Sequence, residues 1–221
     1  MAMRILLIRH GQTDYNIKDV YQGAMDVPLN DKGHAQAGVV AERLKGFPVR
    51  AIYSSPLRRA RATLDRIAAH HKPEPVFLDD LKEIHLGEWQ GKSDTEVKRR
   101  YASFFEERKR LGDYYEARAP GGESYKDLTE RSLRALERIV AEVDEGPVLV
   151  VTHGGVIKSI IGHLFELSVD KRRVFEIYNT SITTLDYDPK AGAFKIITIN
   201  DAVHMGAKSA KDAGLSSATR E

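Results

Sequence analysis

Two short apolar runs that each end in His-Gly constrain this chain more than any other feature. Ile5-Leu6-Leu7-Ile8 leads into Arg9-His10-Gly11, and Val148-Leu149-Val150-Val151 leads into Thr152-His153-Gly154-Gly155. Unbroken apolar runs bounded by breakers are what strands buried on both faces of a parallel sheet look like; half-solvated antiparallel strands alternate instead. Open α/β sheets place their ligand sites at the carboxyl ends of such strands. If the two runs are neighbours, both imidazoles enter one crevice beside Arg9, an arrangement that suits an oxyanion and a histidine that reacts with it.

The rest of the chain alternates strand-like and helix-like segments, as an α/β fold with a mostly parallel central sheet requires. Residues 11–30 read as an irregular loop rich in Gly, Asn and Asp. A helix is expected from Asn30 or Asp31 to about Gly46, a strand over Ala51–Ser54, and a helix over Pro56–Ala69 with the proline in its first turn. A third strand is expected near Val76–Leu78. Ser93 and Glu96 have capping-box spacing and introduce one polar helix to about Leu111. After the break at Pro120-Gly121-Gly122, Ser124 caps a helix whose buried stripe is Leu128, Leu136, Ile139, Val140 and Val143. An apolar helix with Val156, Ile157, Ile160, Ile161 and Leu164 follows the second His-Gly run. Thr180–Tyr187 and Ala193–Ile199 then read as strands joined by a turn. The organisation expected is a single domain over 1–205, with a charged helical insertion at about 92–122 covering the site. The tail over 206–221, with almost nothing to bury, is expected to be flexible.

Composition excludes several classes. The net charge is only +2 and Lys and Arg are interleaved with Asp and Glu, so neither nucleic acid nor a membrane surface is an expected partner. The absence of cysteine removes disulfides, a thiolate nucleophile and Cys-type zinc sites, and suits a reducing compartment. No apolar stretch approaches the roughly 18 residues of a spanning helix, and the strand-like start has no signal-peptide pattern. A cytoplasmic protein is expected.

Arg9 offers a fixed donor fork for oxyanions, Gly11 lets the backbone approach a ligand, and Asn16 lies within loop reach as a neutral donor. The backbone N–H groups after His153 open a helix and can face an anion, though Gly154-Gly155 would serve equally as a tight turn. Among Arg58, Arg59 and Arg61, periodicity does not choose. Arg61 lies closest to its helix's apolar stripe and Arg59 nearly opposite it, and only nearness to the strand ends favours Arg58 or Arg59. His34, His70, His71 and His163 read as surface residues, while His85 and His204 could each approach a pocket. Trp89 reads as a packing anchor, and Glu123 as a helix cap or the orienter of a pocket arginine. No GxGxxG or GxxxxGK[ST] follows a strand, and a histidine metal site lacks a third ligand.

Taken together, several blocks resemble the histidine phosphatase superfamily, the fold of cofactor-dependent phosphoglycerate mutase and its phosphatase relatives, from Ile5 to about Met205. They are Leu7-Ile8-Arg9-His10-Gly11-Gln12-Thr13, Tyr21-Gln22-Gly23 with Asp26-Val27-Pro28-Leu29, and Ser54-Ser55-Pro56-Leu57-Arg58-Arg59-Ala60 with Thr63. Further blocks are Leu81-Lys82-Glu83-Ile84, Gly87-Glu88-Trp89-Gln90-Gly91, Pro120-Gly121-Gly122-Glu123-Ser124 and Val150-Val151-Thr152-His153-Gly154-Gly155. The resemblance implies a three-layer α/β/α sandwich. It makes His10 the nucleophile that becomes phosphorylated and Glu83 the general acid and base. Arg9, Arg59 and His153 hold the phosphoryl oxygens; the register Leu-x-Arg-Ala selects Arg59. Asn16, Gln22, Gly23 and Gly154 fall on substrate-side positions.

This chemistry needs neither metal nor cofactor, because two arginines compensate the equatorial oxygens and keep His10 neutral for attack. A carboxyl that acts as an acid at neutral pH needs a raised pKa, which substrate phosphate beside Glu83 would supply. The implied activity is hydrolysis of a small phosphorylated metabolite through phosphohistidine. A cofactor-dependent mutase is the alternative, and a non-catalytic phosphoester-binding protein a third. The short 92–122 segment sides with the phosphatases. The oligomeric state is not written in the sequence.

Overall fold

The structure, a computed structural model, describes residues 2–18, 20–112 and 115–206. Among them, β1 (Met3–Arg9), β2 (Ala51–Ser54), β3 (Pro75–Phe77), β4 (Val148–Thr152), β5 (Ile182–Asp188) and β6 (Ala193–Asp201) form one sheet in the order β3-β2-β4-β1-β5-β6. The first four of that order run parallel, and β5 and β6 complete the sheet antiparallel. The two His-Gly strands are neighbours: Ile5 pairs with Val148 and, at the far end, Arg9 with Thr152.

Alternate residues of these strands face opposite layers, which is why the runs are apolar throughout. Ile5, Leu7, Val148 and Val150 pack against α6 (Tyr125–Glu142) and α7 (Gly154–Leu164) through Leu128, Leu136, Ile139, Val156 and Ile160. Leu6, Ile8, Leu149 and Val151 pack on the other face against α2 (Asp31–Leu44) and α3 (Arg58–Ala68) through Val40, Leu44, Ala60, Leu64 and Ile67. The result is the expected three-layer sandwich. Each fully buried aliphatic side chain contributes about 1.5–3 kcal/mol, so a one-residue slip of either strand, which exchanges its two faces, is strongly opposed.

Local capping follows the sequence. Asn30 accepts the Gly33 N–H at the start of α2, and Ser124 forms a full capping box with Asp127 at the start of α6. α3 departs from expectation, because Pro56 stands before the cap rather than in the first turn. Leu57 is the cap residue, and the Asp26 carboxylate accepts the Arg58 N–H at 2.7 Å from across the chain. The 11–30 loop contains one turn of helix, α1 (Asp14–Ile17), closed by reciprocal bonds between Thr13 and Asn16.

The expected single helix ending near Leu111 is two, α4 (Asp94–Arg100) and α5 (Ala102–Leu111), broken at Tyr101. The break lets Tyr101, Phe104 and Phe105 converge on Trp89, whose ring stacks on Phe105 at 5.2 Å and meets Phe104 edge-on at 5.4 Å. Trp89 is a packing anchor, as expected, and it fastens α4 and α5 over the carboxyl ends of the strands. The tail expectation concerns residues of which 207–221 lie outside the described residues. Among the described residues no helix is long and apolar enough to cross a membrane.

Candidate active site

The carboxyl ends of β2, β4 and β1 lie side by side, and each delivers part of one cluster. β1 ends in Arg9 and runs into His10, β4 runs into His153 at the cap position of α7, and β2 leads through Ser55 to Arg59 in the first turn of α3. The two imidazole rings are 5.1 Å apart.

Backbone bonds fix His10. Its N–H donates to Thr152 O (3.0 Å), and its carbonyl accepts from the Asn179 amide (2.9 Å). Gly11 N–H donates to the Thr63 hydroxyl (3.0 Å). A Cβ on Gly11 would stand 2.5 Å from the Gly33 carbonyl oxygen, so only glycine lets the loop pass the start of α2. The His10 ring binds Gly11 O through Nδ1 at 2.6 Å. Since a carbonyl only accepts, Nδ1 carries the proton and Nε2 carries the lone pair.

Arg59 is wholly buried. Its Nη atoms donate to Met25 O (2.6 Å) and Gly23 O (2.9 Å), and its Nε lies 3.3 Å from His10 Nε2 and 3.2 Å from His153 Nδ1. Gln22 completes the clamp: with its amide oriented by its neighbours, the oxygen faces Arg59 Nε at 2.6 Å and the nitrogen faces the Thr13 hydroxyl at 2.5 Å. Gly23, which the family resemblance puts on the substrate side, gives its carbonyl to Arg59. His153 accepts at Nδ1 and donates from Nε2 to Ser55 Oγ at 2.7 Å.

Arg9 is buried across the crevice. Its Nη1 donates to Ile177 O at 2.5 Å, whereas its Nε has no partner. It lies over Gly154, whose added Cβ would meet the guanidinium at 3.5 Å. Asn16 accepts the Thr13 N–H (3.0 Å) through its side-chain oxygen, leaving its amide nitrogen as the donor for a ligand. An unpartnered buried donor such as Arg9 Nε marks where an acceptor belongs.

The electrostatics follow from burial and from these two cations. Burial first, then the charges of Arg59 and Arg9, hold His10 well below the ordinary imidazole value. His153 is pushed in the same direction by burial and Arg59. Burial lowers Arg59 to about 10, which still leaves it charged at neutral pH, and lowers Arg9 against the opposing pull of Glu83 and Glu176. Two neutral imidazoles thus sit between two fixed positive charges.

Glu83 faces the same crevice from the segment after β3. Its carboxylate accepts the Gly155 N–H (3.0 Å) and the Ile84 N–H (3.0 Å), so α7 positions both His153 and Glu83. Three further carbonyl bonds hold the segment: the Arg131 guanidinium donates to Asp80 O, Lys82 O and Glu83 O while its fork grips Glu123 at 2.8 and 3.0 Å. Glu123 does orient an arginine, but one beneath the site rather than in the pocket. Arg131 escaped the sequence reading because it looks like any charged residue on a long helix. Asn179 and Ser55 carry no sequence signal either, each being a polar residue whose role depends on contacts across the fold.

Neither His85 nor His204 reaches the site. His85 is exposed and accepts the Gly87 N–H through Nδ1, and His204 lies with Arg43 and Asp201 at the other side of α2. His34, His70 and His163 are exposed. A cavity of about 960 Å³ extends from Arg9, His10 and Glu83 beneath α4 and α5, which supply Lys98, Phe105 and Arg108 to its wall.

Compared with known proteins, residues 5–201 match the family described as histidine phosphatase superfamily (branch 1). The chain is 38% identical over 178 residues to the 2,3-bisphosphoglycerate-dependent phosphoglycerate mutase 2 of Gloeobacter violaceus, covering 78% of this chain and 80% of that protein. It is 38% identical over 177 residues to the glucosyl-3-phosphoglycerate phosphatase of Mycolicibacterium vanbaalenii, covering 76% of each. Among solved structures, YhfR of Bacillus stearothermophilus superposes with a TM-score of 0.82 at 30% identity, covering 92% of this chain and all of the other.

Proposed function

We propose a reading whose premise is that the chain belongs to the histidine phosphatase superfamily: it is a phosphomonoester hydrolase that works through phosphorylated His10. The observation that carries the reading is the His10 ring itself. With Nδ1–H tied to Gly11 O, the Nε2 lone pair faces the crevice between Arg9 and Arg59.

In the first half-reaction Nε2 attacks phosphorus and the P–O bond to the leaving group breaks. Arg9 Nε, Arg59 and Asn16 hold the equatorial oxygens, where charge accumulates, and His153 joins them as a donor when Nδ1 takes up a proton with the incoming phosphoryl group. The Glu83 carboxyl gives a proton to the departing oxygen. In the second half the Glu83 carboxylate takes a proton from water, the water oxygen attacks phosphorus, the P–N bond breaks, and the electron pair returns to Nε2. Splitting the displacement in two gives each step a lower barrier.

The substrate is a small phosphorylated metabolite, the α4–α5 cover selects it, and the cysteine-free composition supports a cytoplasmic setting. A mutase reading has its support in the Gloeobacter violaceus relative. The discriminating experiment measures phosphate release from phenyl phosphate and 3-phosphoglycerate in EDTA, with His10→Ala alongside. Release that persists in EDTA and vanishes in the variant is expected. Interconversion of phosphoglycerates on adding 2,3-bisphosphoglycerate, without net release, would select the mutase.

A further inference from the structure

Four arginines are buried among the described residues: Arg9, Arg59, Arg131 and Arg172. Burial of a guanidinium is costly without a counter-charge. Arg131 has one in Glu123, and Arg9 and Arg59 await the phosphoryl group. Arg172 has none among the described residues. Its Nε donates to Leu167 O (3.2 Å) and its Nη1 to the Thr129 hydroxyl (3.0 Å), and it also bonds the Tyr115 side chain, whose ring lies 5.6 Å from its centre. All of these partners are neutral, yet Arg172 lines the same cavity as His10.

A second observation falls on the same wall. Gly155, Ser159 and Gly162 follow one another at helical spacing along one face of α7. Gly155 meets the Glu83 carboxylate, and Gly162 meets the Arg172 side chain, where a Cβ would stand 2.3 Å from Nε. Between them the Ser159 hydroxyl is buried, lines the cavity and has no hydrogen-bond partner. A serine on a helix can bond back to a carbonyl one turn earlier; this one does not, and an orphaned buried hydroxyl marks a missing acceptor. Asp170, nearby on the rim, is engaged by the Ser168 hydroxyl instead of by Arg172.

We propose that Arg172 and the Ser159 hydroxyl form a subsite for a carboxylate at the far end of the substrate, about 10 Å from the leaving-group oxygen, the rise of seven helical residues. The proposal rests on the phosphatase reading and deepens it: the substrate is a phosphomonoester whose second anionic group lies several bonds away from the phosphate. The glycine at position 162 is part of the device, since any side chain there would evict the guanidinium.

Binding tests it without turnover. The probes are 7-phosphonoheptanoate, its carboxyl methyl ester, and the short phosphonoacetate with its own ester, titrated calorimetrically into the full chain and into Arg172→Met and Ser159→Ala. In the wild type the long acid is expected to bind at least about tenfold tighter than its ester, as a charge-assisted contact implies, with no such gap for the short pair. Arg172→Met is expected to erase the gap and Ser159→Ala to narrow it. Equal binding of the long acid and ester, or a gap that survives Arg172→Met, overturns the proposal. If Arg172→Met does not fold, the comparison of long and short pairs in the wild type decides. Loss of phenyl phosphate hydrolysis, measured separately, bears on the phosphatase reading and leaves this ratio intact.

Discussion

The Gly155–Glu83 contact predicts that adding one methyl group should disable the proton transfer proposed for Glu83 while leaving the protein folded. An ideal Cβ on Gly155 would stand 2.1 Å from Glu83 Oε1 and 3.0 Å from Cδ. What it strikes is the free end of a flexible side chain, not backbone, so the carboxylate moves and the fold does not. Gly155 is in the first turn of α7 with an ordinary negative φ, where alanine is favoured over glycine by up to about 1 kcal/mol. That gain offsets the loss of the Gly155 N–H bond to Oε2, worth about 1 kcal/mol net. The Tm of Gly155→Ala should therefore stay within a few degrees of wild type. The carboxylate, however, must retreat by about 1 Å or more, a misplacement that costs on the order of 10²-fold at a reacting group.

The assay is kcat/KM, which reports the steps through the first P–O cleavage and so isolates the acid role from the later attack of water. On glycerol phosphate the expected loss is about 10²-fold, roughly 2.7 kcal/mol of transition-state stabilisation. On p-nitrophenyl phosphate, whose phenolate hardly needs a proton, it should be threefold or less. Glu83→Gln should show the same selectivity with a larger loss, up to about 10⁴-fold on glycerol phosphate. Equal losses on both esters would refute the acid assignment. An unchanged rate on glycerol phosphate with a demonstrably displaced carboxylate would refute the positioning argument.

Gly11→Ala provides the contrast: its Cβ would meet the Gly33 backbone oxygen at 2.5 Å, so the backbone of the loop after β1 or of α2 must itself shift, with about 1–3 kcal/mol lost in urea unfolding and both esters slowed alike. Arg131→Met strips the donors from three carbonyls and leaves the half-buried Glu123 unpaired. It should cost about 3 kcal/mol, a Tm roughly 10 °C lower, and should slow glycerol phosphate more than p-nitrophenyl phosphate. Because burial holds His10 and His153 well below the ordinary 6.5, the unfolded chain binds their protons first as pH falls. Their contribution is complete above about pH 6.5 and is lost below it, at up to about 1.4 kcal/mol per pH unit for each. Urea midpoints from pH 7 to 5 should fall more steeply in the wild type than in His153→Asn, and parallel slopes would count against neutral burial.

What the sequence by itself determined was periodic and local. Runs apolar at every position had to be strands buried on both faces, and the alternation of segments had to give an α/β sandwich. Asn30 and Ser124 had to cap helices, because their side chains bond within their own turn. Family blocks located His10, Arg9, Arg59, Glu83 and His153, and the sheet brings all of them to one crevice. Tertiary structure alone decided what depends on contacts far apart in the chain. Arg59 lies nearly opposite its helix's apolar stripe and is nonetheless wholly buried, because carbonyls at Gly23 and Met25 fold over it. The helix break at Tyr101 answers to Trp89 across a turn, and the α3 cap comes from Asp26, 32 residues away in the chain. Arg131 anchors the Glu83 segment across about 50 residues, and Arg172 loses its solvent without gaining a counter-ion among the described residues. Periodicity reports which face of an element is apolar; which charged residue the neighbouring chain then encloses is fixed only when the elements pack.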